Sequence, residues 1–266
     1  MIRKKLIDKK VGKPAAFRWR SHEVSRIEGL SDAVFGFAIT LLVVSLEVPK
    51  TFNELAATMR GFGAFAISFA LLFLVWFNQY KFFRRYGLQD NGTVFLNAVL
   101  LFVVLFYIYP LKFLFSFLVS QFTGGHGEIR LPNGNVENMI EAEQVGSLML
   151  IFSFGYLAVF LVFVLLYWHA YRKREELDLD LLERFDTRNS IQEAALNCGI
   201  ASLSIAIVLI GGYGYATLSG LIYMLTGLVM GVHGALMGRR RRKLEGAVPP
   251  PALDQFNNEV EPERQT

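Results

Sequence analysis

The run LSDAVFGFAITLLVVSLEV, Leu30 to Val48, is apolar except at a few positions, and those positions set its chemistry. Asp32 lies in the opening turn, with Arg26 and Ser31 ahead of it, and Thr40 sits midway. Hydrocarbon penalises an ionised carboxylate, so Asp32 must be held by partners on neighbouring helices or face water. Thr40, set among Phe37, Leu41 and Val44, offers something else. Hydroxyl oxygens can replace part of an ion's hydration shell, and rings of bulky apolar side chains can gate by excluding water. Glu47 stands near the far end, where a ring of carboxylates would concentrate cations; a lone interfacial Glu is otherwise a solvated helix end. This is ion-solvation chemistry. No nucleophile elbow, phosphate loop or paired intramembrane carboxylates occur, so no catalytic residues and no enzymatic activity are expected. No metal site or cofactor is expected either. His126, His169 and His233 have no carboxylate or cysteine at ligand spacing, and Cys198 is the sole cysteine.

Composition indicates what must carry these residues. Of 266 residues 53% are hydrophobic, 24 are Phe and only 19% are charged, which excludes an ordinary soluble domain. The excess of 27 Lys and Arg over 23 Asp and Glu is small, and nucleic-acid binding does not follow from it. The first apolar run is too long for the h-region of a secretory signal. Apolar stretches able to cross a hydrocarbon core of ~30 Å as helices fall at about 28–48, 61–80, 92–121, 144–171, 192–210 and 215–238. The third is expected to bend near Pro110. The last two divide one stretch free of Asp, Glu, Lys and Arg at Gly211, Gly212 and Gly214. The GGYGY string there reads as a turn, having no pore helix or re-entrant loop around it. The fold class is therefore all-α: a polytopic membrane protein with six transmembrane helices.

Orientation comes from the basic residues. Apart from Lys50, Arg60, Lys112 and Arg130, all lie before or just inside span one, in loops 81–91 and 172–190, or after span six. Both termini thus face the cytoplasm. Residues 1–20 form a basic cytoplasmic arm, 21–243 the six-helix domain, and 244–266 a disordered cytoplasmic tail. Loop 122–141 is a non-cytoplasmic excursion. Segment 172–190 reads as a charged helix with Leu177, Leu181 and Leu182 on one side, lying at the inner membrane surface or extending the bundle. Gly227, Gly231, Gly234 and Gly238 have the spacing of close helix packing, within or between subunits. The basic run Arg239–Lys243 anchors the topology and is placed to contact anionic lipid.

At ~100° per residue, Phe37, Leu41 and Val44 share a narrow stripe with Thr40 on its flank, while Asp32 points roughly 140° away from Phe37 toward neighbouring helices. An unbroken helix puts Arg26 on the stripe's face. Several copies around an axis would give apolar constrictions with a hydroxyl ring between them. By periodicity alone, a packing face against another helix is the favoured home for this stripe. Asp32 and Arg26 do not face one another; Asn78, Asn97 and Trp76, near the cytoplasmic ends of spans two and three, are the candidate partners.

The string Arg26-Ile-Glu-Gly-Leu30-Ser31-Asp32, followed by AVFGFAITLLV, resembles the RxxxFSD signature and first helix of the transmembrane protein 175 family. Those are endosomal and lysosomal potassium channels with prokaryotic relatives. The resemblance is specific over 26–48, with a weaker echo at Trp76, Asn78, Asn97 and Pro110. Leu30 departs from the signature's Phe, Phe37 from the usual Ile or Leu, and Gln79 from an expected His. The resemblance implies a single six-helix unit of the prokaryotic type, assembling as a homotetramer around a pore lined by first helices. It implies a constriction at Phe37, a hydroxyl layer linked to potassium preference at Thr40, and further apolar pore positions at Leu41 and Val44. It identifies Arg26, Ser31 and Asp32 as signature residues that brace the pore helix together with Trp76, Asn78 and Asn97. Expected is a potassium-permeable, leak-like channel, with K+ as permeant ion, in a plasma membrane if prokaryotic and otherwise an endosomal or lysosomal one. No Arg-repeat voltage sensor is present. A non-conducting scaffold of the same fold and a proton-coupled transporter are the alternatives.

Overall fold

Capping chemistry fixes where several helices start. Ser25 and Glu28 form a reciprocal box: the Ser25 amide donates to the Glu28 carboxylate at 2.8 Å, and the Glu28 amide to Ser25 Oγ at 3.2 Å. Asp180 and Glu183 repeat it, with amide-to-carboxylate distances of 2.8 and 3.2 Å. Asp90 accepts from the amides of Gly92 and Thr93 at 3.0 and 3.2 Å. The computed structural model describes residues 17–44 except His22, a few positions between 50 and 59, and residues 62–122, 128–130 and 136–247. Its elements are α1 (Arg26–Val44), α2 (Phe62–Tyr86), α3 (Asn91–Phe122), β1 (Glu128–Arg130), β2 (Val136–Asn138), α4 (Gln144–Arg172), α5 (Leu181–Gly211), α6 (Ala216–Ile222) and α7 (Leu225–Ala247).

Among the described residues five stretches are long and apolar enough to cross a membrane: Phe62–Tyr86, Asn91–Gln121, Gln144–Arg172, Leu181–Gly211 and Ala216–Gly246. Helix α1, expected as the first span, has 19 residues and extends ~28 Å. Residues 45–48, expected to complete that span, lie outside the described residues, as do 1–16, His126 and 248–266. The outer excursion carries one antiparallel pair, with Ile129 opposite Glu137.

Successive helices pack on one another: α1 on α2 and α3, α3 on α4, α4 most extensively on α5, and α7 back onto α5. One apolar core joins Phe82, Phe83 and Tyr86 of α2 to Leu100 and Val104 of α3 and Phe163 and Tyr167 of α4. A second, further out, gathers Leu111, Leu114, Met149, Phe152 and Val208. Gly155 permits the close α3–α4 approach; a Cβ there would lie 2.1 Å from the Tyr107 ring, whose hydroxyl donates to the Phe152 carbonyl at 2.7 Å.

Several boundaries differ from expectation. Helix α5 begins at Leu181 rather than near 192, so the charged 172–190 segment is a turn followed by the start of α5. Helix α2 runs on to Tyr86 and ends at Gly87, whose φ of +61° is the left-handed conformation glycine adopts without strain. Helix α3 continues through Pro110 as a single helix. The sixth span is two helices, because the amides of Tyr223, Met224 and Thr226 bond three residues back instead of four. A Cβ at Gly227, Gly231, Gly234 or Gly238 would meet nothing within 4 Å among the described residues, which therefore do not make the close packing their spacing suggests.

The uncovered face of the first helix

Helix α1 is clamped along one side. Phe35, Ala38 and Leu42 are buried against α2 and α3, with Ser31 fully covered between them. A chain of amide and hydroxyl bonds runs through this seam. Gln79 Nε2 of α2 donates to Asn97 Oδ1 of α3 at 2.9 Å, and Asn97 Nδ2 donates to Ser31 Oγ at 2.9 Å. Ser31 Oγ in turn donates to the Ile27 carbonyl at 2.8 Å. On the flank, Trp76 Nε1 donates to Asp32 Oδ1 at 2.8 Å, giving the carboxylate the partner its position demands. Toward the other end, Lys112 Nζ of α3 donates to the Leu42 carbonyl at 2.9 Å, placing a cation where the helix dipole is negative.

The opposite side of α1 is uncovered. Arg26, Gly29, Leu30, Ala33, Gly36, Phe37, Thr40 and Val43 are exposed, and at ~100° per residue they fall within one arc. Phe37 is 58% exposed. A Cβ at Gly29 or Gly36 would meet nothing within 4 Å. Thr40 Oγ1 donates to the Phe37 carbonyl at 2.7 Å. With its one proton turned into the helix, the hydroxyl keeps both lone pairs to accept or coordinate. Leu41 lies at the margin of the arc, half-buried. Val44 ends the helix with its side chain outside the described residues, and Glu47 lies outside them altogether.

The residues expected to brace α1 therefore separate. Ser31, Asp32, Trp76 and Asn97 meet as described. Asn78 does not join them: it lies on another side of α2 and lines a cavity between α2, α3, α4, α5 and α7. Its neighbour Gln79, 2% exposed, takes the bracing place. Arg26 stands apart, exposed on the Thr40 face. Gln79 and Lys112 were both legible as polar groups inside apolar runs, the same signal that singles out Asp32.

A second polar group ties down the inner end. Residues 17–20, expected to belong to a basic arm, form with Ser21 a strap across the bundle. Arg18 and Arg20 converge on the buried Glu183, at 3.2 and 2.6 Å. The Arg20 amide donates to the Arg84 carbonyl at 3.0 Å, and Arg84 Nη1 to the Ser21 carbonyl at 3.2 Å. Nearby, His169 Nε2 lies 2.9 Å from Asp90 Oδ1 and Lys173 Nζ 3.8 Å from Asp90 Oδ2. Burial alone would raise the Asp90 carboxyl; the Thr93 amide and hydroxyl and the His169 ring outweigh it and hold the group below the usual carboxylate range. His233 Nε2 bonds Asn189 Oδ1 at 2.9 Å.

Comparison with known proteins joins these features. Residues 26–107, spanning α1, the strongly bonded seam and most of α3, match the family described as endosomal/lysosomal potassium channel TMEM175. A protein of Marivirga tractuosa named "Potassium channel" is 41% identical over 244 residues, covering 91% of this chain and 98% of its own length. The chain belongs to the TMEM175 family. A protein of Streptomyces collinus, also named a potassium channel, is 25% identical over 81% of this chain and 90% of its own length. The TMEM175 fold is also matched in solved structures. A crystal structure of a threonine-to-alanine variant of the potassium channel MtTMEM175, bound to a nanobody fusion, superposes with a TM-score of 0.73 at 42% identity. It covers 86% of this chain and 99% of the other. A homologue, from Chamaesiphon minutus, of the lysosomal potassium-selective channel TMEM175 shares the fold at TM-score 0.50 and 23% identity, over 83% of this chain and 99% of its own. This TMEM175 family member is an integral membrane protein.

Proposed function

We propose that the protein is a potassium-permeable, leak-like cation channel, assembled as a homotetramer with the uncovered faces of four α1 helices lining a central axis. The observation that carries this reading is that uncovered face. One side of α1 is fastened by buried polar bonds, while the other leaves glycines, Ala33, Phe37 and a hydroxyl uncovered by the described residues. A lipid-facing surface gains nothing from glycines and Thr40. Helices gathered about a narrow axis gain room from the first and an oxygen ring from the second.

In this assembly Phe37 forms the constriction, excluding water from the axis unless the rings part. The Thr40 hydroxyls, their protons held by the Phe37 carbonyls, present lone pairs to a partly dehydrated K+. Leu41 and Val44 add apolar rings beyond, and Glu47 attracts cations at the outer mouth. Ser31, Asp32, Trp76, Asn97 and Gln79 keep the helix in register, and Arg26 stands at the cytoplasmic mouth. Potassium is the permeant ion and no cofactor takes part. Prokaryotic relatives place the channel in a plasma membrane, where Arg239–Lys243 contact anionic lipid.

Purified protein in planar bilayers tests this. Wild type should pass K+ in preference to Na+. Phe37→Ala should raise the current, and Thr40→Val should lower the K+/Na+ preference several-fold. A detergent-corrected mass of four copies of the 30.1 kDa chain should accompany them. Absence of K+ current from both wild type and Phe37→Ala would refute conduction and leave a sealed scaffold. Flux that requires a proton gradient would identify a transporter instead.

A further inference from the structure

The protomer holds a cavity of about 860 Å³ on the far side of α2 from the α1 face. Its body is apolar on the α2, α3 and α4 sides, walled by Leu71, Val75, Val104, Ile108, Phe160 and Phe163, while Asn78, Ser190 and Asn197 add polar points. Its cytoplasmic end is charged. Arg241 is engaged there by Asp186 at 2.9 Å and by Glu245. Glu193 accepts from Asn189 Nδ2 at 2.7 Å. Two further cations line the same end: Lys81, 4.8 Å above the Phe77 ring, and Arg85, 5.0 Å from the Phe17 ring. Three cations and three carboxylates meet at this end, but Asp186 and Glu245 are taken up by Arg241; among the described residues the heads of Lys81 and Arg85 rest on aromatic rings with no carboxylate within ion-pair distance.

Shape and polarity together select a ligand class. From Leu71 to Arg85 the lining follows α2 for ~21 Å, longer than the roughly 15 Å of one leaflet in a ~30 Å hydrocarbon core. The volume falls within the roughly 300–1,000 Å³ of small-molecule sites. Apolar walls inside a bilayer have acyl chains, not water, as their natural filling, and two cations at the inner rim without carboxylate partners favour a negative head. We infer that this cavity is a binding site for an amphiphile with one acyl chain in the apolar chamber and an anionic head against Lys81 and Arg85. A free fatty acid and a membrane phospholipid share that chemistry. Phe17, which closes the rim beside Arg85, belongs to the strap leading into α1. Occupancy is thereby read by the segment that holds the first helix.

The test uses binding, independent of any current. Full-length protein in phosphatidylcholine nanodiscs is titrated with the fluorescent fatty acid cis-parinarate, against empty nanodiscs. Saturable binding is expected, displaced by oleate about ten-fold more effectively than by uncharged oleyl alcohol, and weakened about ten-fold by Lys81→Gln with Arg85→Gln. Val75→Trp, which fills the chamber, should remove the saturable signal while the size-exclusion profile stays unchanged. Displacement by phosphatidylglycerol added to the nanodisc supports a bilayer lipid as occupant; displacement by oleate but not phosphatidylglycerol supports a free fatty acid. Absence of saturable binding, equal binding to wild type and both variants, or equal displacement by oleate and oleyl alcohol overturns the assignment.

Discussion

Asn97 is the hinge-pin of the seam behind α1, and Asn97→Ala is the perturbation that isolates it. The side chain, 2% exposed, joins Gln79 and Ser31 by two bonds of 2.9 Å. Each net bond is worth about 0.5–1.5 kcal/mol in water-soluble proteins, and the Gln79 amide, left without its acceptor, adds roughly 1–3 kcal/mol. Interhelical bonds within bilayers average only about 0.6 kcal/mol, which pulls the sum toward the low end. The expected loss is therefore about 2 kcal/mol, from two modest bonds and one orphaned donor. Gln79→Leu combined with Asn97→Leu removes both partners and fills the space, so the double variant should be less destabilised than the two single variants together, with a coupling of about 1 kcal/mol. Unfolding in mixed micelles titrated with dodecyl sulfate, followed by far-ultraviolet circular dichroism, gives all four corners of the cycle. Additive losses, or an Asn97→Ala variant within about 0.5 kcal/mol of wild type, would show that the seam is a line of contacts and not a unit that fixes α1.

Three further outcomes follow from the same geometry. Trp76→Phe keeps an aromatic ring but removes the donor to Asp32 Oδ1, and should cost about 0.5–1.5 kcal/mol in the same unfolding assay, the bond being exposed; Asp32→Asn with Trp76→Phe should add little beyond it. Glu183→Gln leaves Arg18 and Arg20 without their carboxylate, so limited proteolysis near residues 17–21 should quicken while the detergent-resistant core persists. Asp90, whose carboxyl is held below its ordinary range, contributes stability that is complete above the unfolded carboxylate pKa and is lost as pH falls through the lower folded value. Thermal melts from pH 7 down to pH 3 should therefore show a smaller acid-side decline in Asp90→Asn than in wild type, and equal slopes would remove Asp90 from the account.

What could be read from the chain alone divides along a physical line. Apolar length is a property of composition, so the stretches that became α2, α3 and α4 were legible without a partner. Ends set by tertiary pairing were not. Glu183 looks like one more solvated charge in RKREELDLDLLERFDTRNS, yet its partners Arg18 and Arg20 lie far upstream, and with Asp180 it starts α5 at Leu181. The break after Ile222 depends on three-residue bonds that no apolar pattern announces. Within the candidate site, the face of α1 followed from helical periodicity, and Trp76 and Asn97 stood out as polar groups in apolar runs. Asn78 and Gln79, adjacent and ~100° apart, could not be sorted without knowing which side of α2 meets α3. Lys112 was noticed only as a charge inside a span; its use at the end of α1 needed three dimensions.

The strap over Glu183 also sets a timetable. Arg18 and its acceptor are separated by 165 residues, so at ~5–20 residues per second the ribosome needs roughly 10–30 s to deliver the second half of the latch after the first. During that interval the strap's backbone can already meet Arg84 of α2, but its two guanidinium groups wait without their carboxylate. The latch at Glu183 is thus the last fastening of the first helix that a growing chain can close.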